Sequence, residues 1–375
     1  MKTKNRVIVS VINDLNTDQR VHKICTFIEN QGYNVLLVGR KLKNSLPMEK
    51  RNYQTYRFSM FFQKGPLFYA WFNIRLFFFL LVRKSTILVS NDLDTLLPNY
   101  LVSQLFKRKL IYDSHEYFTE VPELISRPKV KAVWEGIEKR IFPKLENIST
   151  VNQSIADRYK EKYGKTLVVV RNVSPLYHSD SMASKKELGI PENKHLLIMQ
   201  GAGLNIDRGV EEAIRMMPFM KDTALIIVGD GDVIPDMKNL VHEQNWQNLV
   251  YFYGKRPYPE LMKFTKYADL GLSFDQPTNP NYLYSLPNKI FDYIHTHTPI
   301  VCSNVVEVVK IVNQYSLGIV IDNFEPQHLA QVIQQALTNL EQMKQWKENC
   351  FIAAEKENWE NESQKLITFY PQVHG

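Results

Sequence analysis

The chain has 375 residues, of which 44% are hydrophobic and 23% charged; these are ordinary globular values, so disorder, collagen and coiled-coil arrays are not expected, and the length predicts two domains. The 46 lysines and arginines exceed the 39 aspartates and glutamates by seven, which fits an acidic partner but also a plain solvated surface. Three widely spaced cysteines predict no disulfide framework or metal knuckle and favour a reducing compartment.

The first half of the chain alternates strand and helix patterns. A β-branched run at 6–12 predicts a buried strand, and the apolar spacing at 18–30 predicts a helix capped by Thr17 or Asp18. Because the basic N-terminus leads into this strand, no secretory signal is predicted. Further strands are predicted at 34–38, 86–89, 109–112, 148–151 and 166–170. Repeated β-α-β order indicates a parallel sheet with helices on both faces.

The most apolar segment, 66–82, is shorter than the roughly 20 residues that span a bilayer. Asn73 and Arg75 also interrupt it. It is predicted to be a buried or interfacial helix. Residues 61–82, with Lys64, Arg75, Arg83 and Lys84 around them, could lie on an anionic membrane surface; the alternative is that their aromatic side chains fill the core of the first domain.

A polar stretch at 175–193 predicts a linker before a second alternating series. Its predicted strands are at 195–200, 224–228, 249–253, 270–274, 299–303 and 317–321, with helices such as 210–217 and 329–340, and a helical tail follows at 346–370. Doubly wound sheets bind ligands at the carboxyl ends of their strands, so two sheets facing each other predict an interdomain cleft.

The first candidate site is the glycine turn that follows the strand at 195–200. Gly201, Gly203 and Gly209 would let backbone N–H groups approach phosphate oxygens. A dinucleotide dehydrogenase is not favoured, because Ile206 stands where the GxGxxG pattern needs its third glycine. Arg208 opposes the dipole of the following helix, which predicts an anion beside it unless it is simply an exposed loop arginine.

The second candidate surrounds Pro287, which suits the first turn of a helix that Ser285 or Asn288 would cap. Lys289 and Asp292 are three residues apart and share a helical face, so a plain ion pair is one interpretation. In the functional interpretation, Lys289 binds phosphate and Asp292 accepts hydrogen bonds from two vicinal ribose hydroxyls.

Two loops of the first half carry polar residues where parallel strands end. His115 and Glu116 follow the strand at 109–112, at the edge where α/β proteins place their sites, although a structural histidine is the alternative. Asp14 and Asn16 lie in the loop after the first strand, which is predicted to face the same edge.

Two apparent metal motifs are not interpreted as metal sites. Asp230 and Asp232 follow a strand and fit a tight turn that opens a helix. His295 and His297 lack a third ligand and fit the end of a helix.

Together these segments resemble the family 4 glycosyltransferases over nearly the whole chain. The segment QGAGLNIDRGVEEAI resembles the family's glycine loop, ALIIVGDGD its "VGxG" strand and turn, and LVYFYGKRPYPELMKFTKYADLGLSF its "FxGxVPxxELxxxYxxADxxLxP" stretch. The segment SLPNKIFDYIHTHTPIV resembles a variant of the family's donor site. In the first half, LIYDSHEYFTE and TVNQSIADRYKEKYG with VVVRNVSP resemble the end of its first domain. The order and spacing of these motifs make the resemblance specific.

The resemblance implies the GT-B fold, an α/β architecture of two Rossmann-like, doubly wound parallel-sheet domains facing a cleft, with a C-terminal helix crossing back to the first domain. On this pattern, 1–180 with 345–375 form an acceptor-side domain, and 190–344 form the domain that binds a nucleotide-sugar donor. The implied donor-binding residues are Gly203, Arg208, Gly209, Gly229, Gly254, Lys255, Ser285, Leu286, Pro287, Asn288, Lys289 and Asp292. The implied catalytic residues are His115, Asp292, Arg208 and Lys289, and the candidate acceptor-side residues are Asp14, Asn16 and Glu116.

The implied reaction is retaining transfer of a sugar from a UDP- or GDP-sugar to an acceptor hydroxyl, in the assembly of cell-surface polysaccharide or glycolipid. His115 would contact the donor sugar, and Arg208 and Lys289 would stabilise the departing diphosphate. No metal or cofactor besides the donor is expected. The implied partners are the nucleotide sugar and a saccharide or lipid-linked acceptor, with no nucleic acid. A cytoplasmic protein is predicted, with peripheral contact to the inner face of an anionic membrane as an option.

The sequence departs from the family pattern at Tyr284, where the first of two glutamates is usual, and at Asp292, where the second is usual. His297 also replaces a common helix-ending glycine. Two alternatives therefore stay open: a nucleotide-sugar epimerase of the same fold, and a non-catalytic relative that binds nucleotide sugar.

Overall fold

Two parallel sheets organise the chain in the computed structural model, which describes residues 5–16, 18–43, 45, 47–177 and 183–373. One unit comprises Met1–Asn172 and Glu362–Gly375, and the other comprises Val173–Asn361. Each unit contains one of the sheets. The predicted α/β class with two Rossmann-like domains is therefore confirmed.

The first sheet has seven strands within the described residues: β1 (Arg6–Asp14), β2 (Asn34–Lys41), β3 (Gln54–Ser59), β4 (Ile87–Asn91), β5 (Lys109–Ser114), β6 (Asn147–Thr150) and β7 (Val168–Val169). Their order across the sheet is β3-β2-β1-β4-β5-β6-β7. The order reverses between β1 and β4, where doubly wound sheets open a crevice for ligands.

The helices of this unit are α1 (Gln19–Asn30), α2 (Gly65–Leu81), α3 (Leu96–Phe106), α4 (Pro122–Ile125), α5 (Pro128–Ile141) and α6 (Gln153–Tyr163). Asp18 caps α1, because its carboxylate accepts the Val21 N–H at 3.0 Å; Thr17, the other predicted cap, lies outside the described residues. Nowhere in the described part of the chain is a helix both long and apolar enough to cross a bilayer.

The second sheet has six strands in the described part: β8 (His195–Gly201), β9 (Thr223–Gly229), β10 (Val250–Phe252), β11 (Leu270–Ser273), β12 (Ile300–Ser303) and β13 (Gly318–Ile321). Their order is β10-β9-β8-β11-β12-β13, so the reversal falls between β8 and β11. The helices are α7 (Val210–Met216), α8 (Ile234–Glu243), α9 (Tyr258–Tyr267), α10 (Pro280–Leu283), α11 (Asn288–His295), α12 (Val306–Tyr315), α13 (Pro326–Thr338), α14 (Leu340–Ala354) and α15 (Trp359–Glu362).

Alternate residues of these strands enter two separate cores. Leu197 and Met199 belong to one apolar cluster, whereas Leu196 and Ile198 belong to another. Successive strand residues point to opposite faces, so helices cover both faces of the second sheet. This is why its strands are predicted by continuous apolar runs rather than by alternation.

The C-terminal segment that belongs to the first unit begins later along the chain than the predicted residue 345. Helix α14 buries Met343, Trp346 and Cys350 in the cores of the second unit. The segment that packs on the first unit starts at Glu362, whose carboxylate accepts the Arg171 N–H at 2.8 Å. Residues 345–361 therefore lie in the second unit, because the apolar face of α14 packs into the cores of that unit.

Candidate active site

The loops that follow β8 and β9 contact each other through their backbones at Gly201 and Gly229. Gly229 has a φ of 150°, and a side-chain carbon there would lie 1.8 Å from the carbonyl oxygen of Gly201, so no other residue fits. The Leu204 N–H donates to the Asp230 carbonyl at 2.9 Å. The turn after Gly229 then opens α8, in agreement with the interpretation of Asp230 as a turn residue.

Gly209 brings the loop after β8 against the end of β11. Its φ is 80°, and a side-chain carbon would lie 2.2 Å from Cβ of Phe274. The Gln276 N–H also donates to the Asp207 carbonyl at 2.8 Å. Arg208 is therefore held at the point where the strand order reverses, which is where a doubly wound sheet places its ligand.

Arg208 and Lys289 converge on one buried carboxylate, that of Asp275. Arg208 Nη1 lies 2.7 Å from Asp275 Oδ1, and Lys289 Nζ lies 3.0 Å from Oδ2. Asp275 is 1% exposed, and burial alone would raise its pKa, but Lys289 and Arg208 outweigh burial and hold the pKa below its usual value. The three groups carry a net charge of +1.

Arg208 is therefore not a free loop arginine. Burial opposes its charge, and Asp275 reverses that effect and raises the pKa of the guanidinium. The guanidinium carbon also lies 4.0 Å from the centre of the Tyr282 ring. The anion that the sequence predicts beside Arg208 is thus supplied within the chain by Asp275.

Asp292 lies one helical turn beyond Lys289 and is 5% exposed. Its Oδ1 accepts hydrogen bonds from Ser174 Oγ at 3.0 Å and from the Tyr258 hydroxyl at 2.9 Å. Its Oδ2 accepts from Gln200 Nε2 at 2.9 Å. Burial and the Asp292 carboxylate raise the pKa of Tyr258, so this phenol stays a hydrogen-bond donor at neutral pH.

The prediction that Ser285 or Asn288 caps α11 is wrong. Pro287 is the N-cap, in extended conformation and without a side-chain cap, and Asn288 is already the first helical residue. The Ser285 hydroxyl instead donates to the Tyr282 carbonyl at 2.9 Å, within the preceding turn. Leu286 packs against the core of the second unit.

Three predicted donor residues lie in loops beyond β8 and β10, where Gly203 and Lys255 are exposed and Gly254 is partly buried. A side-chain carbon on Gly203 would meet nothing closer than 3.8 Å, so internal packing does not require glycine there. Gly254 has a φ of 67° and open space around it. The Lys255 side chain is 65% exposed, with Nζ 3.7 Å from Asp230.

In the first unit, His115 is held between two carboxylates at the carboxyl edge of the sheet. Its Nε2 lies 3.0 Å from Asp113 Oδ2, and its Nδ1 lies 3.3 Å from Asp92 Oδ2. Burial lowers the pKa of His115, but the two aspartates outweigh it and raise the pKa to about 9. Arg20, on α1, pairs with Asp113 at 2.8 Å. His115 is thus an imidazolium at neutral pH, in a fixed orientation.

Asp92 adopts a backbone conformation that side chains rarely take, with φ 56° and ψ 172°. Its N–H donates to the Asp113 carbonyl at 2.9 Å, and its Oδ1 accepts the His115 N–H at 2.7 Å. Neighbouring strand ends thus hold a strained aspartate in place, a combination that clusters at functional sites.

The predicted acceptor-side residues lie at the ends of two different strands: Asp14 and Asn16 at the end of β1, and Glu116 after β5. Asp14 is the last residue of β1, not a loop residue, and its buried carboxylate lies 3.4 Å from Arg57 of β3. Asn16 donates to the Pro47 carbonyl at 3.1 Å. Glu116 lies directly after His115, and its carbonyl accepts from Ser114 Oγ at 2.8 Å.

Sequence reasoning missed Asp92 and Asp275 as functional residues. The signal that would have found them is positional: each follows the apolar part of a strand at the ligand-binding edge of its sheet, after LVSN and LSF.

Solved structures with the same fold are glycosyltransferases and related enzymes. A sucrose-phosphate synthase from Thermosynechococcus elongatus matches with a TM-score of 0.79 at 16% identity, over 98% of this chain and 99% of that one. A glycosyltransferase from Rickettsia africae matches with a TM-score of 0.76 at 13% identity, over 98% of both chains. HepE from Anabaena, solved with UDP and glucose, matches with a TM-score of 0.74 at 15% identity, over 98% and 100%. The fold is thus the GT-B fold of glycosyltransferases.

A comparison with protein families gives a more specific likeness. Residues 180–351, just under half of the chain, match the family described as glycosyl transferases group 1. This match agrees with the predicted class of enzyme, a glycosyltransferase. No curated protein matches the sequence.

Proposed function

We propose that the protein is a retaining glycosyltransferase that moves a sugar from a UDP- or GDP-sugar to an acceptor hydroxyl without a metal ion. The observation that carries the proposal is the cluster of Arg208, Lys289 and Asp275 at the strand-order reversal, within the segment that matches the group 1 glycosyl transferases. Two cations share one carboxylate there, so one positive charge is left for a ligand.

The chemical problem in this reaction is the departure of a diphosphate. As the anomeric C–O bond breaks, its electron pair goes to the diphosphate, while the acceptor oxygen bonds to the same face of the sugar and its proton passes to the leaving group. Arg208 and Lys289 would stabilise the developing charge. Because Asp275 already fixes both side chains, little reorganisation is needed when that charge forms.

Asp292 would bind the ribose of the donor. Of its three hydrogen-bond donors, Ser174 and Gln200 are buried, whereas Tyr258 is 42% exposed. Ribose hydroxyls would therefore displace the Tyr258 phenol from Asp292 and leave the other two bonds in place. Gly203 would let the diphosphate approach the backbone, since nothing within the chain fills the space at its Cα.

The first unit would contribute the acceptor side. His115 would contact the donor sugar as a fixed cation, and Asp14, Asn16 and Glu116 remain proposed acceptor contacts. An acceptor in polysaccharide or glycolipid assembly and a cytoplasmic position complete the proposal. The buried and free state of Cys25, Cys302 and Cys350 agrees with a reducing compartment.

The test is nucleotide binding by thermal shift and calorimetry with uridine, UDP, GDP and their sugars. UDP or GDP should raise the melting temperature. Arg208→Ala should weaken UDP binding far more than uridine binding, and should lower kcat about 10²–10³-fold, the effect of removing one group that stabilises a developing anion. Arg215→Ala, on the exposed face of α7, is the matched control and should change neither.

Equal loss of UDP and uridine binding in Arg208→Ala would contradict the role of Arg208. If every nucleotide leaves the melting temperature unchanged, the donor site is wrongly assigned. Interconversion of a sugar nucleotide without acceptor would show an epimerase, and binding without transfer or hydrolysis would show a non-catalytic relative.

A further inference from the structure

We propose that the outward faces of α2 and α3 form one apolar surface that binds an anionic lipid bilayer. The α2 part of this surface consists of Leu67, Trp71, Ile74, Phe78 and, at the helix end, Val82, which are between 40% and 81% exposed. The surface goes beyond the proposed sugar transfer, because it involves none of the residues assigned to donor or acceptor.

Helix α2 is apolar on both sides. Phe68, Phe72, Leu76 and Leu80 are buried and pack into the core of the first unit. The exposed residues recur at helical spacing on the opposite side, where a surface helix of a globular protein normally carries charge. The core therefore leaves four large apolar side chains of α2 exposed.

Helix α3 extends the same surface. It packs directly against α2, and Leu97, Leu101 and Leu105 form a second outward stripe, 37%, 45% and 64% exposed. Single exposed apolar side chains are ordinary, but two adjacent helices with continuous outward stripes mark a binding surface.

Basic residues border this surface where the two helices end. Arg108 Nη1 donates to the Leu80 carbonyl at 3.2 Å, which places the end of α3 beside the end of α2. The guanidinium carbon of Arg83 lies 4.2 Å from the centre of the Phe79 ring. Lys84 and Lys107 are exposed at the same ends.

Acidic residues are nearly missing from this region. Between Lys64 and Lys109 the sequence has only Asp92 and Asp94, and their side chains face the buried site, at 16% and 6% exposure. An apolar face with a basic border fits an anionic lipid surface, which accepts both apolar side chains and lysines. A second copy of the chain fits less well, because its identical basic border would face this one across the contact.

The test is flotation of the full chain with vesicles, in the absence of donor and acceptor. The protein should float with phosphatidylcholine–phosphatidylglycerol vesicles, less at high salt, and less with phosphatidylcholine alone. The double variant Phe78→Gln with Leu105→Gln should bind about tenfold or more weakly, because both side chains would otherwise enter the interface. Its matched control is Phe351→Gln with Ile352→Gln on α14, which are 55% and 52% exposed, and it should bind like the wild type.

A second pair of variants tests the basic border without touching the apolar side chains. Lys84→Gln with Lys107→Gln should lower binding roughly thirtyfold, at about 1 kcal/mol for each lysine near an anionic surface. Lys344→Gln with Lys347→Gln, exposed on α14, is the control. This pair keeps the proposal falsifiable even if the apolar variant melts at a lower temperature.

Three outcomes would overturn the proposal. In the first, the wild-type protein does not float at low salt with anionic vesicles. In the second, the α14 controls lose as much binding as the α2–α3 variants. In the third, light scattering shows a dimer that the Phe78/Leu105 variant converts to a monomer while vesicle binding is unchanged, and the surface is then an interface between two copies. None of these results bears on sugar transfer, so the two proposals fail separately.

Discussion

Asp275 is the residue on which the geometry of the candidate site depends. Without it, Arg208 and Lys289 would place two like charges side by side in a largely buried position. The carboxylate removes that repulsion and fixes the direction of both side chains. If the proposed donor binds here, Asp275 would also compete with its diphosphate for these two cations.

We expect Asp275→Asn to destabilise the second unit and to increase the stabilising effect of a bound diphosphate. Removing one partner of a buried charge cluster lowers the free energy of unfolding by about 3–5 kcal/mol. UDP would supply the missing negative charge, so the rise in melting temperature on adding saturating UDP should exceed that of the wild type. Thermal melts with and without UDP measure both effects.

The control for this prediction is Asp230→Asn, which removes a carboxylate from an exposed pair with Lys255 at 3.7 Å. Exposed pairs contribute little, so its melting temperature should stay close to that of the wild type. A UDP-induced shift in Asp275→Asn no larger than in the wild type would contradict the proposed competition.

At the residue scale, sequence reasoning located the neighbourhood of the site better than its contacts. The motif around Lys289 and the loop with Arg208 were found, because residue type and spacing carry that information. The hydrogen bonds of Asp292 and the pairing of Arg208 with Asp275 were not predicted, because they join residues 34 to 118 positions apart in sequence. Such contacts depend on strand order, which no local pattern determines.

At the scale of elements, the glycine turns that end β8 and β9 hold the loop after β8 in place. Gly229 is required by contact with the backbone of Gly201, whereas Gly203 has no internal constraint. Substitutions of these two glycines therefore test two different properties: internal packing at Gly229 and the approach of a ligand at Gly203.

Gly229→Ala should lower the free energy of unfolding by about 1–3 kcal/mol or more, because its new methyl group overlaps backbone that cannot move aside. Gly203→Ala should leave stability within about 0.5 kcal/mol of the wild type, as an exposed substitution, yet weaken UDP binding. Chemical denaturation and calorimetry measure the two quantities. UDP binding unaffected by Gly203→Ala would argue against the approach of the diphosphate at that loop.

Most strands and helices were predictable because their apolar patterns match the faces that they bury. Strand β3 was missed because Gln54–Ser59 alternates partly buried and exposed positions, with only Phe58 fully buried. Helix α2 was predicted as either core or interfacial, and the structure shows apolar side chains on both sides of it. An apolar pattern without periodicity indicates that a segment is hydrophobic, but it does not indicate which side of the helix packs against the core.

At the scale of the whole molecule, the last residues of the chain complete the first unit. Leu366, Phe369 and Tyr370 are at most 3% exposed, and the Phe369 carbonyl accepts a 2.7 Å hydrogen bond from Lys109 of β5. The Val373 N–H donates to the Gln31 carbonyl at 2.9 Å, beyond the end of α1.

A chain that stops at Asn361 should lose stability in the first unit and keep it in the second. Removing three buried side chains leaves apolar surface of the first unit open to water. Hydrogen exchange should therefore be faster in β1 and β5 than in the full chain, and unchanged in β8 and β9. Tyr370→Ala should reproduce a milder form of this effect, and equal acceleration in both units would contradict the assignment of this segment.

The first unit is thus discontinuous in sequence, and the second is inserted within it. During translation, the ribosome releases all of Val173–Asn361 before it releases the segment from Glu362 onward that belongs to the first unit. The second unit can therefore fold before the first unit has all of its residues. The unit whose synthesis begins first is therefore the one completed later, and until Leu366, Phe369 and Tyr370 are in place the apolar surface that they cover stays open to water.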